Sequence, residues 1–381
     1  MGAAFLMATA AIGPGFITQT TVFTGQLFTS FGFAILISIL IDIIVQLNIW
    51  NIIGASGKRA PELVNEVLPG LGTFLVVLIA AGGLIFNIGN IGGCSLAMQS
   101  LFGLQYGSGA ILSCVIAIII FLVKEFGKAM DRFTKLLGIL MIGLMFFVAI
   151  KSSPPIEAIM MHAVLPEKID VLVIVTLVGG TVGGYISFAG AHRMLDARKE
   201  GETTLDDVKS GAVSGILLAG LMRILLYAAV AGVVATGISL PQENPASQVF
   251  EVAAGQAGKI IFGIILWCAA ITSVVAAAYT SVTFMASVSG FVKKNQRTII
   301  IAFILLSSLV FIFMGSPTRL LVKAGTLNGL VLPMALASML WVVVRGGRER
   351  FAQHPIWLVY AGWLVVGILL VMSIRSVWLM W

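Results

Sequence analysis

Gly13-Pro14-Gly15-Phe16 and, about 170 residues later, Gly179-Gly180-Thr181-Val182-Gly183-Gly184-Tyr185 interrupt two otherwise apolar segments. A helix broken at membrane depth exposes amides and carbonyls that no water can satisfy. Such backbone is tolerated only where it lines a cavity or is covered by protein. Each restarted half-helix presents unpaired N–H groups and about half a positive charge, a ready seat for a negative or dipolar group. Thr18, Gln19 and Thr20 follow the first break, while Thr181, Tyr185 and Ser187 flank the second. Two breaks in corresponding places mark the substrate site of a transporter whose repeats move against each other. The half-helices are expected to begin after Gly15 and after Gly184, with Thr18, Thr20, Thr21, Tyr185 and Ser187 as hydroxyl donors.

Other polar groups lie in apolar surroundings. Asp42 sits within Leu40–Ile44 and Arg223 within Leu221–Leu225. A charge at mid-membrane costs about 2.5–3.5 kcal/mol on insertion scales, so each must face a cavity or a partner. Asp42 is the candidate proton-coupling acid; a structural ion pair or snorkelling is the plainer account of both residues. Asn87 and Asn90 are three apart and so share a helical face, either as a polar lining or in interhelical hydrogen bonds. Gly325-Thr326-Leu327-Asn328-Gly329, followed by Pro333, predicts a local unwinding that would bring Asn328 to the site. His192, Arg193 and Asp196 are expected to close the sixth span on the cytoplasmic side.

The elements that carry these residues are membrane spans. Apolar residues make up 59% of the 381 and charged residues 10%, with a mean hydropathy of +1.07. Eleven spans are predicted: 3–30 (broken), 32–54, 70–102, 108–123, 133–151, 171–195 (broken), 211–236, 258–289, 298–315, 317–344 and 356–380. The broken spans head two runs of five, an inverted repeat over 1–152 and 170–344 with 356–380 appended. The expectation is one membrane-embedded domain spanning 1–381. Sixteen of the 23 Lys and Arg fall in alternate loops. This predicts a cytoplasmic N-terminus, an external C-terminus and a bacterial cytoplasmic membrane location. The net charge of +7 is therefore a topology signal and not a nucleic-acid footprint; the lipid bilayer is the expected partner. Met1 runs into the first span without a basic leader, so that span is read as retained. Gly82, Gly83, Gly89, Gly92 and Gly93, and Gly211, Gly215, Gly220 and Gly232, form small-residue stripes for close packing. Pro61 to Pro69 predicts a short amphipathic segment, and Pro241 to Gln256 an outer loop with a surface helix. Trp50, Trp341, Trp357, Trp363, Trp378 and Trp381 read as anchors at span ends.

Cys94, Cys114 and Cys268 have unrelated spacings, and the three histidines are scattered. No disulfide framework, resident metal or cofactor is expected. No phosphate-binding loop and no nucleophile–base pair is present, which argues against pumping by nucleotide hydrolysis and against an enzyme.

Gly54-Ala55-Ser56-Gly57-Lys58-Arg59-Ala60-Pro61-Glu62-Leu63 resembles the ASG(K/R)xxPEL segment after the second span of NRAMP transporters. Gly13-Pro14-Gly15-Phe16 lies where that family carries Asp-Pro-Gly-Asn. The resemblance covers most of the chain. It implies an all-α LeuT-type fold, alternating access and, in the family proper, proton-coupled import of manganese or iron. Residue by residue, the metal ligands do not carry over. The family's Asp falls on Gly13 and its Asn on Phe16. Its Met-Pro-His falls on Gly183-Gly184-Tyr185, and the acids of its proton path fall on Asn87 and Asn90. Neutral donors serve transition metals poorly, whereas the two helix tips keep their positive field. The sequence therefore points to import of a small polar organic solute, a carboxylate or an amide, coupled to H⁺ or Na⁺. A divalent metal (Mn²⁺, Fe²⁺ or Mg²⁺) is the alternative. The pattern also resembles bacterial NRAMP-like companions of 5-oxoproline degradation, which makes that lactam acid one candidate.

Overall fold

The computed structural model describes residues 13–123, 126–199, 205–346, 351 and 354–380. Residues 3–12 of the first span, Lys124, Arg348, Arg350 and Trp381 lie outside the described residues, as do the side chains of Arg193 and Asp196.

The described chain is helical throughout. α1 (Pro14–Leu27) passes through a 3-10 turn at Phe28–Ser30 into α2 (Phe31–Ser56). α3 (Ala60–Val67) is the short amphipathic piece, and α4 (Leu71–Phe102) and α5 (Tyr106–Leu122) follow. α6 (Phe126–Lys151) is bent by 109° from α7 (Ile156–Val164), a short helix that span-length hydropathy missed. The second broken span is α8 (Val171–Thr181) and α9 (Tyr185–Lys199). α10 (Leu205–Ala235) and α11 (Pro245–Val288) follow, the latter kinked at Gly255, where the surface helix joins the long span. α12 (Gly290–Lys294), α13 (Gln296–Met314), α14 (Pro317–Arg345) and α15 (Ile356–Met380) complete the chain. Among the described residues, eight helical stretches are long and apolar enough to cross a membrane, or nine with the bent pair. The stretch Pro14–Ser56 among them contains two of the expected spans, because Phe28 turns the chain with φ 45°.

Apolar side chains such as Val77, Ile111, Phe146, Leu309 and Val371 point outward, as a lipid-facing surface requires. Inside, α8 is buried from Val173 to Thr181. It lies against α14, and α4 packs against α11 and α14, while α10 covers α2.

Glycine makes the α8–α14 contact possible. A Cβ on Gly179 would stand 2.0 Å from Gly325 O and 2.2 Å from Gly329 N, and one on Gly329 would stand 2.3 Å from Val175 O. The two backbones touch, and Thr176 and Thr326 hydroxyls bond at 2.8 Å across them. This corrects the expected unwinding in span 10: α14 stays helical through Gly325–Gly329 and past Pro333. Those glycines serve close approach, not a break.

A methyl group at Gly179 is predicted to overpack this contact and lower stability by about 1–3 kcal/mol. Thermal unfolding of Gly179→Ala in detergent should shift down. Gly143→Ala, where the added Cβ meets nothing within 4 Å, should melt like the parent protein.

Candidate functional site

The first break is built by a proline seated on a glycine. Gly13 is extended (φ −86°, ψ −177°), and Pro14 occupies the first helical turn. There its missing N–H costs nothing and its fixed φ suits the helix. α1 thus begins at Pro14, earlier than the expected start after Gly15. The Pro14 ring fills the space a side chain on Gly93 would need, since a Cβ there would lie 2.2 Å from Pro14 Cβ.

The second break is a glycine turn. α8 stops at Thr181, Val182 N–H still bonds to Val178 O at 2.9 Å, and Gly184 takes φ +42° before α9 begins at Tyr185 as expected. Ser187 Oγ donates back to the released carbonyl of Val182 at 2.8 Å. Trp50 of α2 in turn donates its indole N–H to Ser187 O at 2.9 Å. Trp50 is fully buried, so it is a prop for the broken helix and not the interfacial anchor expected of it.

Two amide side chains tie the breaks to α14 and α4. Gln19 Nε2 donates to Leu321 O at 3.1 Å, and its Oε1 lies 2.4 Å from where a Cβ on Gly180 would stand. Asn328 Nδ2 donates to Gly82 O (3.2 Å) and Ala324 O (3.0 Å), while its Oδ1 lies against Gly184. Asn328 thus reaches the site from an intact helix. Gln19 Oε1 and Asn328 Oδ1 are both buried without a hydrogen-bond partner.

The expected hydroxyl donors are mostly spent. Thr20 Oγ1 donates to Phe16 O (2.7 Å), Thr21 to Ile17 O (2.9 Å), Thr181 to Leu177 O (2.8 Å) and Ser187 to Val182 O. In an apolar helix a threonine proton satisfies itself on the preceding turn. Thr18 is buried, and Tyr185 packs its ring on Phe86 at 5.4 Å.

Asn87 and Asn90 part company. Asn87 Nδ2 donates to Ser307 Oγ of α13 at 3.1 Å, away from the break. Asn90 faces Gly13, where an added Cβ would meet Ser273 Oγ at 3.7 Å and Asn90 Oδ1 at 3.9 Å. Neither amide atom of Asn90 has a partner, although the residue is fully buried. Ser273 and Ser281 of α11 escaped sequence reading. Their spacing of eight places both on one face, and Ser281 Oγ is buried and unpaired beside Gly83.

The two buried charges end at the two breaks. Arg223 of α10 is 2% exposed, and its Cζ stands 4.4 Å above the Phe16 ring centroid, at the tip of α1. Its Nε and Nη2 have no partner. Asp42 of α2 is 1% exposed and faces the Thr181 hydroxyl at the end of α8, with Oδ1 unpaired. The two charges feel each other but form no ion pair within 4.0 Å. Neither snorkels to an interface. Among the described residues, no three His, Cys, Asp or Glu side chains come together as metal ligands.

The family model for natural resistance-associated macrophage protein-like (Nramp) sequences matches residues 4–379. The chain belongs to the Nramp family. This Nramp-family chain is 53% identical to the uncharacterised membrane protein YcsG of Bacillus subtilis over 376 residues, 99% of the chain and 93% of that protein. It is 51% identical to an uncharacterised membrane protein of Haemophilus influenzae, over 99% and 95% of the two chains. Among solved structures, a variant of the Eremococcus coleocola manganese transporter superposes with a TM-score of 0.73 at 14% identity, covering 98% and 85% of the two chains. MhsT in complex with L-phenylalanine superposes at 0.68 with 16% identity, covering 99% and 96%. The fold is that of LeuT-type transporters, and the chain is an Nramp-related membrane transporter.

Trp50→Phe keeps the ring bulk and deletes the N–H to Ser187 O. A buried acceptor left unpaired costs about 1–3 kcal/mol. The variant should unfold at lower temperature in detergent, and Trp363→Phe, whose indole makes no comparable bond to the break, should not.

Proposed function

We propose that this chain is a secondary transporter working by alternating access, importing a small polar organic solute with a carboxylate or an amide. Coupling is to H⁺ or Na⁺. The observation that carries this reading is Arg223: a buried guanidinium with unspent donors, stacked on Phe16 where α1 begins. Guanidinium matches carboxylate in shape and charge, and the α1 amides add to the same field. Asn90, Gln19 and Asn328 hold unpaired amide oxygens beside Gly13, Gly180 and Gly184 at the two breaks, suited to the N–H groups of an amide, a lactam or an amino acid.

The site residues follow from that reading. Gly13, Pro14, Gly15 and Phe16 present the α1 tip; Thr181, Gly183, Gly184, Tyr185 and Ser187 form the opposing turn. Thr18, Gln19, Thr20 and Asn328 frame the space between them. A divalent cation would meet a fixed positive charge and neutral oxygens, with Asp42 as the one acid among the described residues of the site. In a low-dielectric interior that repulsion is strong. The manganese transporter of Eremococcus coleocola shares the frame; so does MhsT, which was solved with L-phenylalanine, an organic zwitterion. The repeats 1–152 and 170–344 would rock about the breaks, with α15 appended and the N-terminus in the bacterial cytoplasm. Among lactam acids, 5-oxoproline is the leading candidate.

Purified protein in proteoliposomes should show saturable uptake of at least one member of a panel of amino acids, lactams and small acids. Saturable Mn²⁺ uptake with no organic member transported would reverse the assignment.

A further inference from the structure

Arg223 and Asp42 are both buried and form no ion pair within 4.0 Å. Removing either ion from water costs several kcal/mol, and direct pairing with good geometry is the usual recompense. Here each charge keeps unpaired atoms: Nε and Nη2 on the guanidinium, Oδ1 on the carboxyl. Arg223 stands at the α1 break through Phe16, and Asp42 at the α8 break through Thr181.

Among the described side chains on the elements around these two, the other titratable groups are engaged elsewhere or exposed. α2 packs against α1, α7, α8, α9, α10, α14 and α15. On those elements Tyr227 donates its hydroxyl to Phe28 O and Thr29 O. His162 is bonded to Thr29 and His354, just before α15, to Asn48. His192 accepts from Ala60 N and stacks on Phe284, and Tyr185 lies on Phe86. Arg319, Lys323, Arg345 and Arg375 are exposed. Among the described residues, Arg223 is the charged group that faces Asp42.

With Asp42 ionised, an empty site would hold one positive and one negative charge. A carboxylate arriving on Arg223 would leave a net negative charge in a low-dielectric interior, unless a proton arrives too. The Thr181 hydroxyl spends its proton on Leu177 O and can accept from a protonated Asp42, while an ionised Asp42 has the field of Arg223 opposite it. We propose that Arg223 takes the carboxylate of the transported solute and Asp42 takes the accompanying proton, making transport an electroneutral symport of one anion with one H⁺. The proton passes from water on the entry side to the Asp42 carboxylate, and no bond in the solute changes. This rests on the organic-solute reading above and adds the residues, the coupling ion and the stoichiometry.

The test uses 5-oxoproline and L-lactate as acid probes, with their carboxamides as neutral counterparts. Wild-type protein in weakly buffered detergent should take up about one proton per acid bound, and none per amide. In proteoliposomes, acid uptake should rise with an inward proton gradient and ignore an imposed membrane potential. Asp42→Asn, which mimics the protonated carboxyl, should bind acid without proton uptake. Arg223→Lys should weaken acid binding by about tenfold or more, since it keeps the charge and loses the fork. Because Arg223→Gln alone would strand a buried carboxylate, the paired variant Asp42→Asn with Arg223→Gln serves as the fold-preserving version. It should bind the amides and not the acids. Wild-type affinity for acids in that double variant, or uptake driven by membrane potential, overturns the proposal. So does transport of the neutral amides without the acids, an outcome that leaves the organic-solute reading standing. If no organic solute moves at all, that reading falls, and this one with it.

Discussion

Backbone amides and carbonyls released at Gly13 and at Val182–Gly184 have no water to turn to, and much of the interior is arranged around them. The released carbonyl of Val182 is met by Ser187, and the carbonyl of Ser187 by Trp50 from another helix. Gln19 spends its amide on Leu321 O and Asn328 spends its own on Gly82 O and Ala324 O. The Trp50 and Gln19 bonds join a broken helix to an intact one, and the Asn328–Gly82 bond joins two of their neighbours. These long-range bonds fix where the two helix tips point, and burial makes each of them expensive to lose. The glycines complete the same task from the other side. Gly93 makes room for Pro14, while Gly179, Gly325 and Gly329 let α8 and α14 touch along their backbones.

Once the tips are fixed, the charges decide what they can receive. Where the family resemblance expects Asp and Asn around the first break, this chain has Gly13 and Phe16, and a guanidinium lies on the Phe16 ring. The helix tip and Arg223 then act with the same sign. Losing the carboxylate at Gly13 while a guanidinium lies over Phe16 does not merely weaken a cation site; it inverts the field at that point. When ionised, Asp42 would offset the Arg223 charge, and it would do so from beside Thr181 and not by pairing with Arg223. An interior built for rigidity alone would have closed that pair or replaced it with apolar side chains, often at no loss of stability.

The sequence made the architecture legible because the bilayer imposes coarse rules. Span length, the two Gly/Pro breaks and the PEL segment after the second span were each readable, and helix ends mostly fell within a few residues. Local side-chain chemistry was less so, for identifiable reasons. Free hydroxyls were expected at Thr20, Thr21 and Ser187, but a threonine or serine in an apolar helix has a carbonyl one turn back to consume its proton. Gly325–Gly329 looked like a break because glycine runs serve unwinding and close approach alike; only the neighbouring Gly179 distinguishes them. Trp50 read as an interfacial anchor because its partner, Ser187, lies 137 residues away. Asn87 and Asn90 share a side of α4 by spacing, yet a helix face 60° off splits between two neighbours, Ser307 and Gly13.

Arg223 is the case where sequence alone pointed the wrong way for a sound reason. A lone arginine in a span is usually paired or snorkels, and nothing in Leu221–Leu225 says that the residue opposite is the one following a helix break. The guanidinium lies over Phe16 only because α10 covers the inner helices along their length, with Gly220 admitting Ile39 and Gly232 admitting Ser152 at close range. Small residues on α10 thus set how deeply Arg223 sits. The position of the guanidinium therefore goes with close helix packing at Gly220, one turn before it, and at Gly232 further along α10.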